Sequence, residues 1–357
     1  MNSYKIIGLM SGTSLDGLDI VFASYYATNE KEWSYKIHAA TTIPYPSSLL
    51  KSLSESVHKS ATELLILDKS LGLFYANAVN QFTIDYKIDT TSINAIASHG
   101  HTVYHQPENG FTHQIGCGEI IAYNTGLKVI NDFRQKDVVA GGQGAPLVPI
   151  GDKLLFSSEA EAFLNIGGFA NISFLKIDQS IAYDICPANL PLNHYAQLLK
   201  QPYDANGAIA RSGIIQENKL NLLNDLAFYQ KKAPKSLGTE WLHREFMPVL
   251  NEMNSPQNTL RTLVEHIAIQ IASELNLQQK SSVFITGGGA KNTFLIERIQ
   301  THYNGVVRIP NVEIIDFKEA LIFGFLGALY LHKTANILSS VTGAQRDTIG
   351  GVLHLPD

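Results

Sequence analysis

The chain has 357 residues, 45% of them hydrophobic and 17% charged, with a formal net charge of -5. That length exceeds the ~250–300 residues at which one core usually divides, so two domains are expected. The mild negative charge excludes an extended nucleic-acid surface, so an anionic ligand needs a local site. Two cysteines, Cys117 and Cys186, make no disulfide framework and fit a reducing compartment. The opening residues Met1–Lys5 lack the charged and apolar regions of a signal peptide. The most apolar stretch, Ala320 to Leu331, falls short of the ~20 residues that span a bilayer and reads as a buried helix. The expectation is a soluble cytoplasmic protein with neither a membrane nor a nucleic acid as partner.

In chain order, Tyr4 to Leu9 predicts a strand, Met10 to Gly17 a polar turn-rich loop, and Asp19 to Tyr26 a returning strand. Trp33 to Thr42 alternates as a third. Two helical stretches follow, the second opening with a capping box from Ser60 to Glu63. Short buried strands at Ile93 to Ala97 and Leu127 to Ile130 complete the half. The second half repeats the plan. Ala162 to Ile166 is a strand, Gly167-Gly168 a turn, Phe169 to Leu175 the return, and Ile181 to Tyr183 a third strand ending at Asp184. After an irregular insertion, Leu260, Leu263, Val264, Ile267, Ile271 and Leu275 recur at helical spacing, with Ser255-Pro256 as the start signal. Then come a strand from Ser282 to Thr286, a glycine turn and a helix from Thr293. A last long helix is placed at the capping-box pattern Asp316 to Glu319. Three strands, helix, strand, helix, strand, read twice, predict an α/β protein of two ribonuclease-H-like domains facing each other across a cleft.

Three glycine-rich turns stand out: Gly12-Thr13-Ser14-Leu15-Asp16-Gly17, Gly167-Gly168 with Asn171, and Gly287-Gly288-Gly289-Ala290-Lys291-Asn292. Backbone N–H groups converge on a phosphate most readily where no Cβ blocks the approach. The third turn also precedes a helix, whose N-terminus carries partial positive charge. None fits a Walker or dinucleotide pattern, and each alone is an ordinary tight turn; three at equivalent places in a duplicated fold point to phosphate binding. Phosphoryl transfer further requires carboxylates for a metal and a base. Asp16 and Asp19 lie on or beside the first turn, and Asp184 falls between the second turn and a helix start. Arg134, leading into Gly141 to Pro149, could clamp a carboxylate bidentately, or form a structural salt bridge. Ser98-His99-Gly100-His101 with His105 gives H-x-H-x-x-x-H, so a zinc-dependent hydrolase is the rival class. No H-E-x-x-H accompanies it, and zinc would leave the glycine turns unexplained.

At these residues the sequence resembles the anhydro-N-acetylmuramic acid kinases of the actin, sugar kinase and Hsp70 superfamily. The resemblance is carried by Gly8 to Gly17, Ser98-His99-Gly100, Asp132-Phe133-Arg134, Gly141 to Pro149, Asn165 to Gly168 with Asn171, Gly287 to Asn292, Asp316 with Glu319-Ala320, and Ser340 to Ala344. It implies two actin-like ATPase domains, placed at 1–130 plus 322–357 and at 131–321, and a homodimer. It also implies a reaction in peptidoglycan recycling that opens a 1,6-anhydro amino sugar with water and phosphorylates O6 from ATP and Mg2+. Asp184 matches the catalytic aspartate. Gly12, Thr13, Ser14, Leu15, Asp16, Gly17 and Asp19 match the ATP loop, with Gly167, Gly168, Asn171, Gly287, Gly288, Gly289 and Asn292 completing the nucleotide side. Ser98, His99, Arg134, Gln143 and Glu319 are expected on the sugar side, and no protein side chain is assigned to the metal. The chain departs from the family's D-T-G-P-G-N, with Ile185, Cys186 and Ala188 following Asp184. It also carries Asn193 for an aspartate, His101 for a glutamine and Cys117 for an aspartate. These departures keep two alternatives open, a nucleotide-binding regulator without turnover and a kinase of a related sugar.

Overall fold

The computed structural model describes residues 2–12, 15–28, 32–174, 181–232, 235–251 and 255–357. It divides into two compact units, Met1–Phe156 with Phe317–Asp357, and Ser157–Asp316.

The first unit runs β1 (Asn2–Ser11), β2 (Leu18–Ala27), β3 (Trp33–Ile43), α1 (Ser47–Ser54), α2 (Ala61–Asp85), β4 (Ala95–Ser98), β5 (His101–Gln106), β6 (Phe111–Ile115), α3 (Gly118–Thr125), β7 (Val129–Asn131), α4 (Gln135–Val139) and α5 (Pro149–Leu155). Its main sheet begins β3-β2-β1-β4-β7, with β2 antiparallel to both neighbours and β1, β4 and β7 parallel. Ile6, Ile7 and Leu9 of β1 are essentially fully buried, as a central strand covered on both faces must be. Gly8 explains how the covering helix comes so near: a Cβ there would lie 2.0 Å from the carbonyl oxygen of Ala320. The Ser60–Glu63 capping box opens α2 as the sequence predicts.

The second unit runs β8 (Ala162–Ile166), β9 (Phe169–Phe174), β10 (Ile181–Pro187), α6 (Asn189–Leu198), α7 (Ala208–Ser212), α8 (Glu217–Asn224), α9 (Thr239–Trp241), α10 (Met247–Leu250), α11 (Pro256–Leu277), β11 (Ser282–Thr286), α12 (Thr293–His302) and β12 (Val306–Arg308). Its sheet order is β10-β9-β8-β11-β12, the first unit's order again, with the same pattern of parallel and antiparallel neighbours. Ser255 caps α11 through the Asn258 N–H, and Leu260, Leu263, Val264, Ile267, Ile271 and Leu275 are all fully buried. After α13 (Val312–Leu331) the chain closes the first unit with α14 (Ser339–Thr342) and β13 (Val352–His354), which pairs antiparallel with β7.

Several expectations are corrected. The last long helix begins at Val312, one turn before Asp316, where Asn311 Oδ1 accepts the Ile314 N–H at 3.0 Å. Asp316 and Glu319 therefore lie inside the helix and form no capping box. β10 does not end at Asp184 but continues to Pro187, with a bulge between Asp184 and Cys186. Residues 131–156 belong with the first unit, whereas the sequence placed the division at 130/131. Asp137 ties that segment to the C-terminal part of the chain by accepting from Thr342 Oγ1 at 2.8 Å. Leu175, assigned to the returning strand, lies outside the described residues.

Candidate active site

In the first unit the β1–β2 ladder ends at Ser11 and Leu18, leaving the first glycine turn as its hairpin loop. Thr13 and Ser14 lie outside the described residues. Leu15 N–H donates to Gly12 O at 3.3 Å, Asp16 is exposed, and Asp19 accepts from Thr42 Oγ1 across the sheet at 2.6 Å. A buried cluster supports the loop's foot. Tyr45 OH donates to Ser11 Oγ at 2.6 Å, and Ser11 Oγ sits 3.2 Å from His101 Nδ1.

On the predicted sugar side, His99, Arg134 and the 141–149 loop form one hydrogen-bonded group. Arg134 Nε and Nη2 lie 3.1 and 2.9 Å from His99 Nε2, and Nη1 donates to Gly144 O at 2.7 Å. Burial and the neighbouring Arg134 charge push the His99 pKa well below its ordinary value, so a neutral ring offers Nε2 as acceptor. Burial lowers Arg134 to about 10, against the attraction of Glu319, and the guanidinium stays charged at neutral pH. Asp137, fully buried, accepts from Gly144 N and Thr342 Oγ1 at 2.8 Å each and fixes the loop. Glu319 keeps a solvent-accessible side chain, yet desolvation by the surrounding protein raises its pKa, while Lys318 and Arg134 oppose the rise. Gln143 is exposed, with its N–H bound to Thr342 O at 2.8 Å. Ser98 is fully buried, and its hydroxyl accepts the Gly100 N–H at 3.3 Å, a role in shaping the turn.

The histidine triplet does not converge. His99 faces Arg134, His101 faces Ser11, and His105 Nδ1 lies 3.1 Å from Thr112 Oγ1. A guanidinium beside a ring nitrogen is the opposite of what a cation site requires.

In the second unit, one rung of the sheet brings three of the predicted polar side chains together. Asn165 pairs with Asn171 and Asn171 with Asp184 across β8, β9 and β10, which puts the three side chains on one face. Burial raises the Asp184 pKa, and the Leu237 N–H, donating to Oδ2 at 2.8 Å, partly offsets this. The Gly167-Gly168 hairpin is tied to the start of α6, since Gly168 O accepts from Ala188 N at 2.8 Å and Gly167 O from Asn189 N at 3.0 Å. Asn189 Nδ2 also donates to Ile166 O at 3.1 Å. Gly287 has φ +81, and a Cβ on it would meet Asn165 Oδ1 at 2.4 Å, so the third turn folds directly onto the Asn165–Asn171–Asp184 rung. Asn292 caps α12 by accepting from Leu295 N at 3.0 Å. Gly288, Lys291 and Asn292 line a recess of about 420 Å³ with Asn189, Asn193 and the Tyr203–Asn206 loop. Asp204 holds that loop by accepting the Ile209 and Ala210 N–H groups at 2.8 and 2.9 Å. Lys291 forms an ion pair with Asp316.

Sequence reasoning missed Tyr45, Asn189, Asp204 and Leu237. Asp204-Ala205-Asn206-Gly207 carries a turn signature that could have been read. Leu237 contributes only its backbone, which no residue type announces.

A duplicated ribonuclease-H-like sheet, with glycine hairpins at matching strand ends and a carboxylate beside the second, is the two-domain actin-like fold. The chain belongs to the anhydro-N-acetylmuramic acid kinase family, whose model matches residues 4–356. The anhydro-N-acetylmuramic acid kinase of Sulfurovum sp. (strain NBC37-1) is 36% identical over 99% of both chains. That of Mannheimia succiniciproducens is 35% identical over 97% of this chain and 98% of its own. Among solved structures, the chain is similar to the activator of the 2-hydroxyisocaproyl-CoA dehydratase from Clostridium difficile. That likeness has a TM-score of 0.46 at 13% identity, covering 92% of this chain and 97% of the other.

Proposed function

We propose that this protein opens the 1,6-anhydro ring of anhydro-N-acetylmuramic acid with water and transfers the γ-phosphoryl group of ATP to O6. The products are N-acetylmuramic acid 6-phosphate and ADP. Asp184 takes one proton from the water as its oxygen bonds to the anomeric carbon. The bond from that carbon to O6 breaks, and O6 takes up the phosphoryl group as ADP departs. The second water proton stays on the new anomeric hydroxyl. The observation that carries this reading is the state of Asp184, a part-buried carboxylate with a raised pKa and one oxygen committed to Leu237. Among the described residues no hydrogen bond engages the other oxygen.

The glycine turns suit a nucleotide's phosphates. Nothing lies nearer than 3.6 Å to where a Cβ would stand on Gly167 or Gly288, so the backbone is approachable there. Mg2+ carried with the nucleotide would neutralise charge developing on the phosphates, and Asp16 and Asp19, on or beside the first hairpin loop, are the carboxylates that would hold it. Arg134, held by His99 and Gly144, presents a guanidinium to the sugar's lactyl carboxylate. Ile185, Cys186 and Ala188, which depart from the family pattern, are buried to 2%, 0% and 0% exposure, and Ala188 keeps its bond to the glycine hairpin. All three belong to the second unit's hydrophobic core, and Asp184 keeps its bond from the Leu237 N–H, which supports turnover over a binding protein without activity. The same reading carries a cytoplasmic homodimer that takes part in peptidoglycan recycling.

The test is Asp184→Asn. Sugar-dependent ADP release should fall by about 10²–10⁴-fold, and an unchanged rate would remove Asp184 from the mechanism.

A further inference from the structure

β10 is the outer strand of the second sheet, and its free edge is covered beside Asp184 by residues 235–237. Asp184 N–H donates outward to Lys235 O at 3.0 Å. An added strand would normally return an N–H to a main-chain carbonyl of the edge. Here the Leu237 N–H goes instead to Asp184 Oδ2, at 2.8 Å. The segment is anchored at its other end. The Lys235 side chain is 7% exposed, with Nζ 3.9 Å from Glu274 Oε2 on α11 and 5.0 Å from the Phe228 ring centroid. Glu274 Oε1 in turn accepts from the hydroxyl of Tyr183, the residue preceding Asp184. The chain of contacts thus leaves β10 at Asp184 and returns to it at Tyr183.

We infer that residues 235–237 form a strap that orients the reactive carboxylate, with the Leu237 N–H as its positioning donor and Lys235 as its anchor. This deepens the assignment of Asp184 as general base and rests on it. A carboxylate held by one oxygen cannot rotate freely, so the other oxygen stays aimed at the water it must deprotonate. Misplacement of a reacting group by about 1 Å costs on the order of 10²-fold in rate, so a single fixed N–H has leverage. The bond also favours the charged form of Asp184. Tyr183 and Cys186 on β10, Lys235 on the strap and Glu274 on α11 are the other titratable groups of this neighbourhood.

Two substitutions test the strap in the full chain. Leu237→Pro deletes the N–H without touching an ionisable side chain, and Lys235→Met releases the anchor while keeping its length. For Leu237→Pro, kcat should fall about tenfold or more. Its KM for MgATP should stay within about twofold, and the acid limb of kcat/KM should move up by about one pH unit. Lys235→Met should shift the same quantities in the same direction by less, and it carries the test alone if Leu237→Pro does not fold. If Asp184→Asn abolishes turnover while the folded strap variants keep wild-type kcat and acid limb, the strap is overturned and the base assignment stands. If Asp184→Asn turns over at the wild-type rate, the base assignment falls and the strap with it.

Discussion

Two opposing influences meet at Asp184. Burial raises its pKa above the ordinary aspartate value, and the Leu237 N–H pulls it back part of the way. In the proposed role of general base it works only when ionised, so activity should fall as acid protonates it. The acid limb of kcat/KM should therefore lie above the ordinary aspartate pKa of about 3.9. A pH–rate profile flat down to that value would show that another group deprotonates the water. Arg134 makes a second residue-scale prediction. Lysine keeps the charge but loses the fork, so Arg134→Lys should raise KM for the sugar about tenfold. An anhydro-sugar without the lactyl carboxylate should erase most of that difference. If both sugars lose equally, Arg134 serves the loop through Gly144 and not the substrate.

At the scale of elements, the close approach of α13 to β1 is the most exposed to test. A Cβ on Gly8 would stand 2.0 Å from Ala320 O and 2.8 Å from Gly324 N, both backbone atoms of a helix that cannot yield locally. Gly8→Ala should cost about 3 kcal/mol, read as a lower midpoint of thermal or denaturant unfolding. An unchanged midpoint would mean that helix and strand can separate without loss. This contact also shows where the sequence was legible. The residues Ile6-Ile7-Gly8-Leu9 announce a buried strand, and Ser60 to Glu63 announce a helix start, because local chemistry decides both. The start of α13 is not legible because Asp316 to Glu319 imitates a capping box inside a helix that Asn311 begins. The β5–β6 hairpin was not read at all, since its residues His101–Gln106 and Phe111–Ile115 are mixed in polarity and pair only with each other. Asp184 stands out in the sequence after the second glycine turn, but its place in mid-strand does not. The bulge after it depends on pairing with β9, which no local pattern encodes.

Across the whole molecule, one plan is used twice. Counting one rung inward from each glycine hairpin gives Met10–Asp19–Thr42 in the first unit and Asn165–Asn171–Asp184 in the second. Asp184 thus occupies the register position that Thr42 holds in the other copy, and Asn171 that of Asp19. The duplication was readable because each half repeats its strands and turns in order. The candidate site is legible where its residues sit in short motifs, as with His99, Arg134 and the glycine turns. It was opaque where remote backbone completes it, as Leu237 does for Asp184.

The most direct measurement is ADP release from MgATP by the purified protein, with and without 1,6-anhydro-N-acetylmuramic acid. The account predicts turnover that depends on the sugar, with a product phosphorylated at O6 and hydrolysed at the anomeric carbon. Nucleotide binding with no sugar-dependent ADP release would contradict it. The residues following Asp184 would then mark a protein that binds the nucleotide without performing this reaction.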